Sequence, residues 1–266
     1  KLWREGTGAP VVGGDFDPRR SLAPLVKELS PAVVNIRAYG KKPRLEQGGV
    51  DPRMLPFFEF GPMDPQPQQG IGSGFVLTAD GLVVTNHHVV DGADKLEVKL
   101  HDGRMFAAKV LGTDPYTDLA VIQLEGAKNL KTATLGSSST LSVGDWVMAI
   151  GSPMGLEQTA TAGIVSAKGR GSLGLYANSY IDFLQTDASI APGSSGGPLF
   201  NMNGEVVGIN TAVGGIGRGL GFAVPIDQAK SVIPQLKSAG KVVRGWLGIS
   251  GREIEPEKLR KYGEFI

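Results

Sequence analysis

Cysteine is absent from the 266 residues, which excludes disulfides, thiolate zinc sites and a cysteine nucleophile. Histidine is nearly absent: His87, His88 and His101 are all there is, so a general base has few candidates. An excess of charge is also lacking. Lysine plus arginine is 27 and aspartate plus glutamate is 26, giving a net charge of +1, so the main argument for a nucleic-acid partner falls away. No apolar run approaches the ~18 residues needed to cross a bilayer. The chain opens on Lys1-Leu2-Trp3 without a basic leader and apolar stretch, so any signal peptide is expected to have been removed already.

What is abundant is glycine, 39 residues or roughly twice ordinary usage, with no collagen-like repeat. The excess points to many tight turns between short strands. Residues 21–30 have the spacing of a short helix, with Ser21 as its cap, Leu22, Leu25, Val26 and Leu29 as its apolar face and Pro31 as its end. Residues 32–39 alternate as a first strand. From Ile71 to Ile226 eleven further strands are expected, over 74–78, 82–85, 96–100, 105–112, 119–124, 146–150, 159–167, 181–186, 198–200, 206–211 and 221–224. Asp80-Gly81, Asp102-Gly103 and Asn203-Gly204 are placed as hairpin turns. Residues 226–238 form an amphipathic helix closed by Gly240. So many short strands with so few helices predict an all-β fold of one or two antiparallel barrels or a sandwich. The segment 41–70 stands apart, with six prolines, four glycines and four glutamines around Phe57, Phe58 and Phe60. It is either a loop whose aromatics tuck back onto their own domain or an aromatic anchor for another subunit or domain.

Gly193-Ser194-Ser195-Gly196-Gly197-Pro198-Leu199 has the make-up of a nucleophile loop. A serine hydroxyl needs a base to take its proton, and acyl transfer needs fixed N–H donors for the oxyanion, which flanking glycines let the backbone supply. The same residues satisfy G-x-S-x-G, but an α/β-hydrolase needs its histidine after the serine, and none follows Ser195. A subtilisin order needs an aspartate upstream and a parallel sheet that the pattern denies. The order His–Asp–Ser remains, that of the two-barrel serine proteases. Asp91, Asp94 and Asp102 lie in polar turns, whereas Asp118 directly precedes Leu119-Ala120-Val121-Ile122 and enters the protein with a buried strand, where a carboxylate demands a partner. Two other patterns are set aside. Gly169-Arg170-Gly171-Ser172-Leu173-Gly174 fits a dinucleotide fingerprint, yet no helix opens after it and no βαβ unit surrounds it. The histidines do not suggest a metal site, because adjacent residues on a strand point to opposite faces.

Thr85-Asn86-His87-His88-Val89-Val90, Asp114-Pro115-Tyr116-Thr117-Asp118-Leu119-Ala120-Val121 and the 193–199 loop, taken in order, resemble the three catalytic signatures of the HtrA/DegP serine proteases. Gly72-Ser73-Gly74-Phe75, Gly151-Ser152-Pro153, Leu184-Gln185-Thr186-Asp187-Ala188, Gly208-Ile209-Asn210-Thr211-Ala212 and Gly221-Phe222-Ala223-Val224-Pro225 fit the same family, and the resemblance covers about residues 21–250. It implies a chymotrypsin-like double barrel, about 31–126 and 127–225, within a protease domain over 1–240. His88, directly before Val-Val, would be the base, oriented by Asp118. Ser195, directly before Gly196-Gly197, would be the nucleophile, and the N–H groups of Gly193 and Ser195 the oxyanion hole. Ala191 and Ser194 depart from the family pattern, where asparagines are frequent.

The resemblance further implies Ile190, Thr211 and Val213 at the substrate site. Ser189 stands six residues before the nucleophile, where a trypsin-like pocket needs an aspartate, so small or medium aliphatic side chains are expected. Such residues are buried in folded proteins, which makes unfolded or damaged polypeptide the implied substrate. No cofactor and no metal are implied. A bacterial periplasmic location and a homotrimer or larger cage are implied, the glycine-rich 169–174 stretch resembles a mobile regulatory loop, and residues 244–266 resemble the beginning of a PDZ domain in a longer protein. The rival expectation is a chaperone that holds unfolded chains with little cutting.

Overall fold

In the computed structural model the residues described are 2–9, 17, 20–40, 68–152, 158–171, 180–211 and 219–245. Phe57, Phe58, Phe60 and Val213, residues 172–174 of the glycine-rich 169–174 stretch and all of 244–266 except Arg244 and Gly245 lie outside them.

The chain runs β1 (Arg4–Glu5), α1 (Ala23–Leu29), a 3-10 turn (Ser30–Ala32), β2 (Val33–Gly40), β3 (Gln68–Val76), β4 (Leu82–Thr85), α2 (His87–Val90), β5 (Lys95–Lys99), β6 (Met105–Asp114) and β7 (Leu119–Leu124). It continues through β8 (Thr134–Leu135), β9 (Trp146–Gly151), β10 (Thr159–Arg170), β11 (Phe183–Thr186), β12 (Pro198–Asn201), β13 (Glu205–Thr211), β14 (Gly221–Pro225) and α3 (Ile226–Ala239). Strands β2-β3-β4-β7-β6-β5 close into one barrel, β5 returning to pair with β2. Strands β13-β12-β9-β10-β11-β14 close into a second, because β14 pairs with both β11 and β13. The fold is therefore the all-β double barrel that the family resemblance implies, one of the forms that the strand density left open.

Period-2 alternation builds the cores. In β2, β4 and β7, Val34, Val83 and Ile122 point into a core made only of residues 34–130, while their neighbours Val33, Val84 and Val121 point into another. That other core is shared. It joins Phe75, Leu82 and Leu119 of the first barrel to Met148, Ile150 and Phe200 of the second, with Leu25 and Leu29 of α1 and Ile226, Ile233 and Leu236 of α3. At ~1.5–3 kcal/mol for each fully buried large aliphatic or aromatic side chain, this shared layer is the main force holding the barrels together.

Helix α3 follows the second barrel in the chain but docks on the first. The N–H of Thr113 in β6 donates to the carbonyl of Gly240 at 3.2 Å, and a Cβ at Gly112 would collide with the carbonyl of Leu236. At the other end of α3, Asp227 accepts from Ser137 Oγ at 2.8 Å, Ser138 Oγ at 3.0 Å and the N–H of Ser139 at 2.9 Å. These bonds hold its carboxyl below the usual range against burial, which pushes the other way. Three local expectations change. Ser21 accepts from the N–H of Ala23 at 3.2 Å but stands one residue before the N-cap, Leu22, and Pro31 sits within the 3-10 turn that follows α1. His87 and His88 lie on a helical turn, so the argument that a strand splays them apart does not apply. The dinucleotide fingerprint stays set aside, because Arg170 pairs with Phe183 across antiparallel β10 and β11 and the motif begins in an antiparallel pair.

Candidate active site

His88 belongs to the single turn α2, and Asp118 is the residue before β7, so both come from the first barrel. The Asp118 carboxylate is buried, and it holds His88 at two points. Oδ1 accepts the backbone N–H of His88 at 3.0 Å, and Oδ2 lies 2.8 Å from Nδ1 of the ring. A carboxylate can only accept, so Nδ1 carries the proton and Nε2 keeps its lone pair. Burial alone pushes the His88 pKa down. The Asp118 charge and hydrogen bond outweigh it and hold the imidazole above the ordinary histidine value. Asp118 itself is held at both ends. Its carbonyl accepts from the N–H of His87 at 3.1 Å and from Asn86 Nδ2 at 2.8 Å, and Oδ2 accepts from Thr211 Oγ1 at 3.3 Å. These partners keep a φ of +51°, a left-handed conformation that costs a non-glycine residue about 1–3 kcal/mol.

Ser195 comes from the second barrel, three residues before β12, and is 4% exposed. The loop is brought to the histidine by Gly196. A Cβ there would collide with Thr85 Oγ1 and the carbonyl of Ser73, in the segment that leads to His88, and its φ of +83° suits glycine alone. The N–H of Gly196 donates to the carbonyl of Asn210 at 2.8 Å, and the N–H of Asn210 returns a bond to Gly197 at 2.8 Å, so β13 grips the loop from its other side. The side chain of Ser194 lies against Gly151, where a Cβ would stand 3.1 Å from its Oγ. It lines a cavity of about 70 Å³ with Ala149, Gly151, Thr159, Thr161, Ser189 and Ala191, beneath strands β9 and β10. Gly193 has a φ of +93°, and among the described residues its N–H has no hydrogen-bond partner.

Of the residues expected at the substrate site, Ile190 and Thr211 are among those described. Ile190 packs on the second barrel, over Gly221, where a Cβ would stand 2.9 Å from its Cδ1. The side chain of Thr211 is directed at Asp118, a role the motif alone did not suggest. Ser189 lines the small cavity, with its carbonyl bound by Thr161 Oγ1 at 2.7 Å, and the Asp187 carboxylate accepts from the N–H of Ile164 at 2.7 Å. His101 is remote from this chemistry, with Nδ1 2.8 Å from Gln158 Oε1. Asn86 and Ser73, which bind the backbones of Asp118 and of the serine loop, were not singled out from the sequence.

Two six-stranded barrels, with a His–Asp pair on the first and a glycine-flanked serine on the second, define a trypsin-like peptidase, and the family model described as "Trypsin-like peptidase domain" matches residues 72–209. The chain belongs to the HtrA/DegP family within that class. A "Probable periplasmic serine endoprotease DegP-like" of Pseudomonas putida (strain W619) is 48% identical over 262 residues, covering 90% of this chain and 53% of the relative. The protein of the same name from Pseudomonas savastanoi pv. phaseolicola is 46% identical over 263 residues, covering 90% and 54%. Among solved structures, "HtrA-type protease AlgW with tripeptide" superposes with a TM-score of 0.76 at 39% identity, covering 92% of this chain and 72% of that one. The chain spans about half the length of the curated relatives it matches.

Proposed function

We propose that this chain is a serine endopeptidase acting through an acyl-enzyme, with His88, Asp118 and Ser195 as its triad. The observation that carries the reading is the double hold of Asp118 on His88, which leaves Nε2 as the base, beside a serine loop seated on the segment that bears that histidine. His88 Nε2 takes the proton from Ser195 Oγ as the oxygen attacks the peptide carbonyl. The negative charge that develops on the carbonyl oxygen is held by the N–H groups of Gly193 and Ser195. The C–N bond breaks as the imidazolium gives its proton to the leaving amine, and water, activated by the same nitrogen, frees the acyl group.

Ile190, together with Val213, forms an apolar pocket for small aliphatic residues on the acyl side of the cut. The substrates are unfolded or damaged polypeptides in the bacterial periplasm, and the working form is a homotrimer or larger cage in which residues 41–70 serve assembly or gating. Names of relatives that read "periplasmic" support the location. The protease domain covers 1–240, and a PDZ domain begins at 244. A purely chaperone role has no structural observation in its favour.

The test is fluorophosphonate labelling followed by peptide mapping. Label on Ser195, lost in Ser195→Ala and kept in Ser194→Ala, is expected. Label on Ser194, or none on active protein, overturns the assignment.

A further inference from the structure

Ser73 lies in β3 of the first barrel, is fully buried, and binds three elements of the site at once. Its N–H donates to the carbonyl of Ser195 at 2.8 Å, and its Oγ–H donates to the carbonyl of Gly193 at 2.7 Å. Its Oγ in turn accepts the N–H of Ser152 at 2.9 Å, and its carbonyl accepts Thr85 Oγ1 at 2.7 Å. The hydroxyl is thus satisfied as donor and acceptor together. The approach is close: a Cβ at Gly197 would stand 3.2 Å from the Cβ of Ser73.

We infer that Ser73 is a positioning residue for the oxyanion hole, fixing from the first barrel the two second-barrel residues whose N–H groups form it. The inference rests on the proposed assignment of Gly193 and Ser195 as the donors. The N–H and the carbonyl of one residue sit on either side of its Cα, so holding the carbonyl limits the rotation that would swing the N–H. Gly193 needs this hold most, since a glycine at a φ of +93° has no side chain to restrain it. Backbone bonding from a neighbouring strand restrains Ser195. Only a side-chain hydroxyl at position 73 reaches Gly193, and a serine among glycines offers that reach in the smallest volume. Oxyanion donors act through placement rather than strength, and displacement by about 1 Å costs roughly 100-fold in rate.

Ser73→Ala removes the hydroxyl and keeps the N–H. On a peptide substrate kcat is expected to fall about 10–100-fold with KM changed less than about threefold. Affinity for a peptide boronic acid, whose tetrahedral adduct places an oxygen in the hole, should fall by a similar factor, while the acid limb of the pH profile stays in place because the His88–Asp118 pair is untouched. A merely structural role would instead lower the fraction of sites labelled by fluorophosphonate and leave kcat per labelled site normal, and that result overturns the inference. So does an unchanged kcat with unchanged boronate affinity. Should Ser73→Ala not fold, Ser73→Cys keeps a weaker donor in nearly the same space, and a normal kcat per site in that variant also overturns it. If the parent is labelled at Ser195 and Ser73→Ala is as fast, this inference alone fails. If the parent is not labelled there, the protease assignment fails first.

Discussion

Asp118 binds His88 through the backbone N–H at 3.0 Å and through Nδ1 at 2.8 Å, so one carboxylate sets both the position of the histidine and the rotation of its ring. Asp118→Asn presents an amide that can donate to Nδ1 and stabilise the other tautomer, with the proton on Nε2. The expected result is a loss of about 10⁴ in kcat with the fold and KM nearly unchanged. Steady-state kinetics beside circular dichroism checks this, and a loss under tenfold would mean that Asp118 does not set the tautomer.

The pH dependence follows from the raised pKa of His88. The base proposed for His88 works only when neutral, so kcat/KM should climb with pH through a midpoint above the ordinary ~6.5 of histidine. Stability runs the opposite way. A folded-state pKa above the unfolded one adds stability that is fully present below the unfolded value and is lost as pH rises through the folded value. The melting-temperature gap between the parent and His88→Asn should therefore narrow from pH 5 to pH 9. A gap that widens contradicts the direction of the shift.

Cleavage should favour valine, isoleucine and alanine before the cut and reject lysine and arginine. The nearest carboxylate before the serine loop, Asp187, is engaged by the N–H of Ile164, and a buried ammonium without a partner is costly. Ile190→Ala should extend the preference to larger apolar residues by roughly 10-fold in kcat/KM, the scale of a few methylenes. Mass spectrometry of an unfolded substrate reads both outcomes, and a majority of cuts after lysine or arginine rejects the pocket.

Arg244 binds Asp114 Oδ1 at 2.8 Å and stacks on Tyr116 and Tyr180, its guanidinium carbon 5.2 and 5.4 Å from the ring centres. Burial would raise the Asp114 pKa, but the bonds from Arg244 and Thr117 lower it overall. Arg244→Met should cost about 1–3 kcal/mol at pH 7, a buried-pair figure reduced for the partial exposure of Arg244. Asp114→Asn should cost less, since it leaves a guanidinium that water can reach. A depressed carboxyl pKa adds stability above the unfolded value of ~3.9 and loses it as pH falls through the folded one. The deficit of Arg244→Met should accordingly vanish in acid. Urea titrations at pH 7 and pH 3 decide this, and equal deficits at both reject the ion pair as the cause.

Strands with a strong apolar signal were readable from sequence. Leu82–Thr85 and Leu119–Leu124 fall where expected, because β-branched and aliphatic residues buried on both faces leave little ambiguity. The two-residue strands β1 and β8 were not, since two residues carry no periodicity and exist through tertiary pairing. The turn at His87–Val90 was obscured by valines that favour strands. At the site, the need of a buried carboxylate for a partner singled out Asp118, but nothing local announced its positive φ or the bond from Thr211, which come from neighbours 32 and 93 positions away. Ser73 was hidden for the same reason. Its hydroxyl meets Gly193 across 120 positions, and a serine between glycines has the same letters whether it faces water or a catalytic loop.

The core shared by both barrels also imposes an order in time. In a chain that emerges N-terminus first, β2 to β7 are complete while the residues that cover Phe75, Leu82 and Leu119 are still to come, the last of them in α3. At ~5–20 residues per second, the interval from Val121 to Leu236 is on the order of 10 s. For that interval the nascent chain is itself a partly folded polypeptide with an open aliphatic face, close to the class of material that it is proposed to destroy.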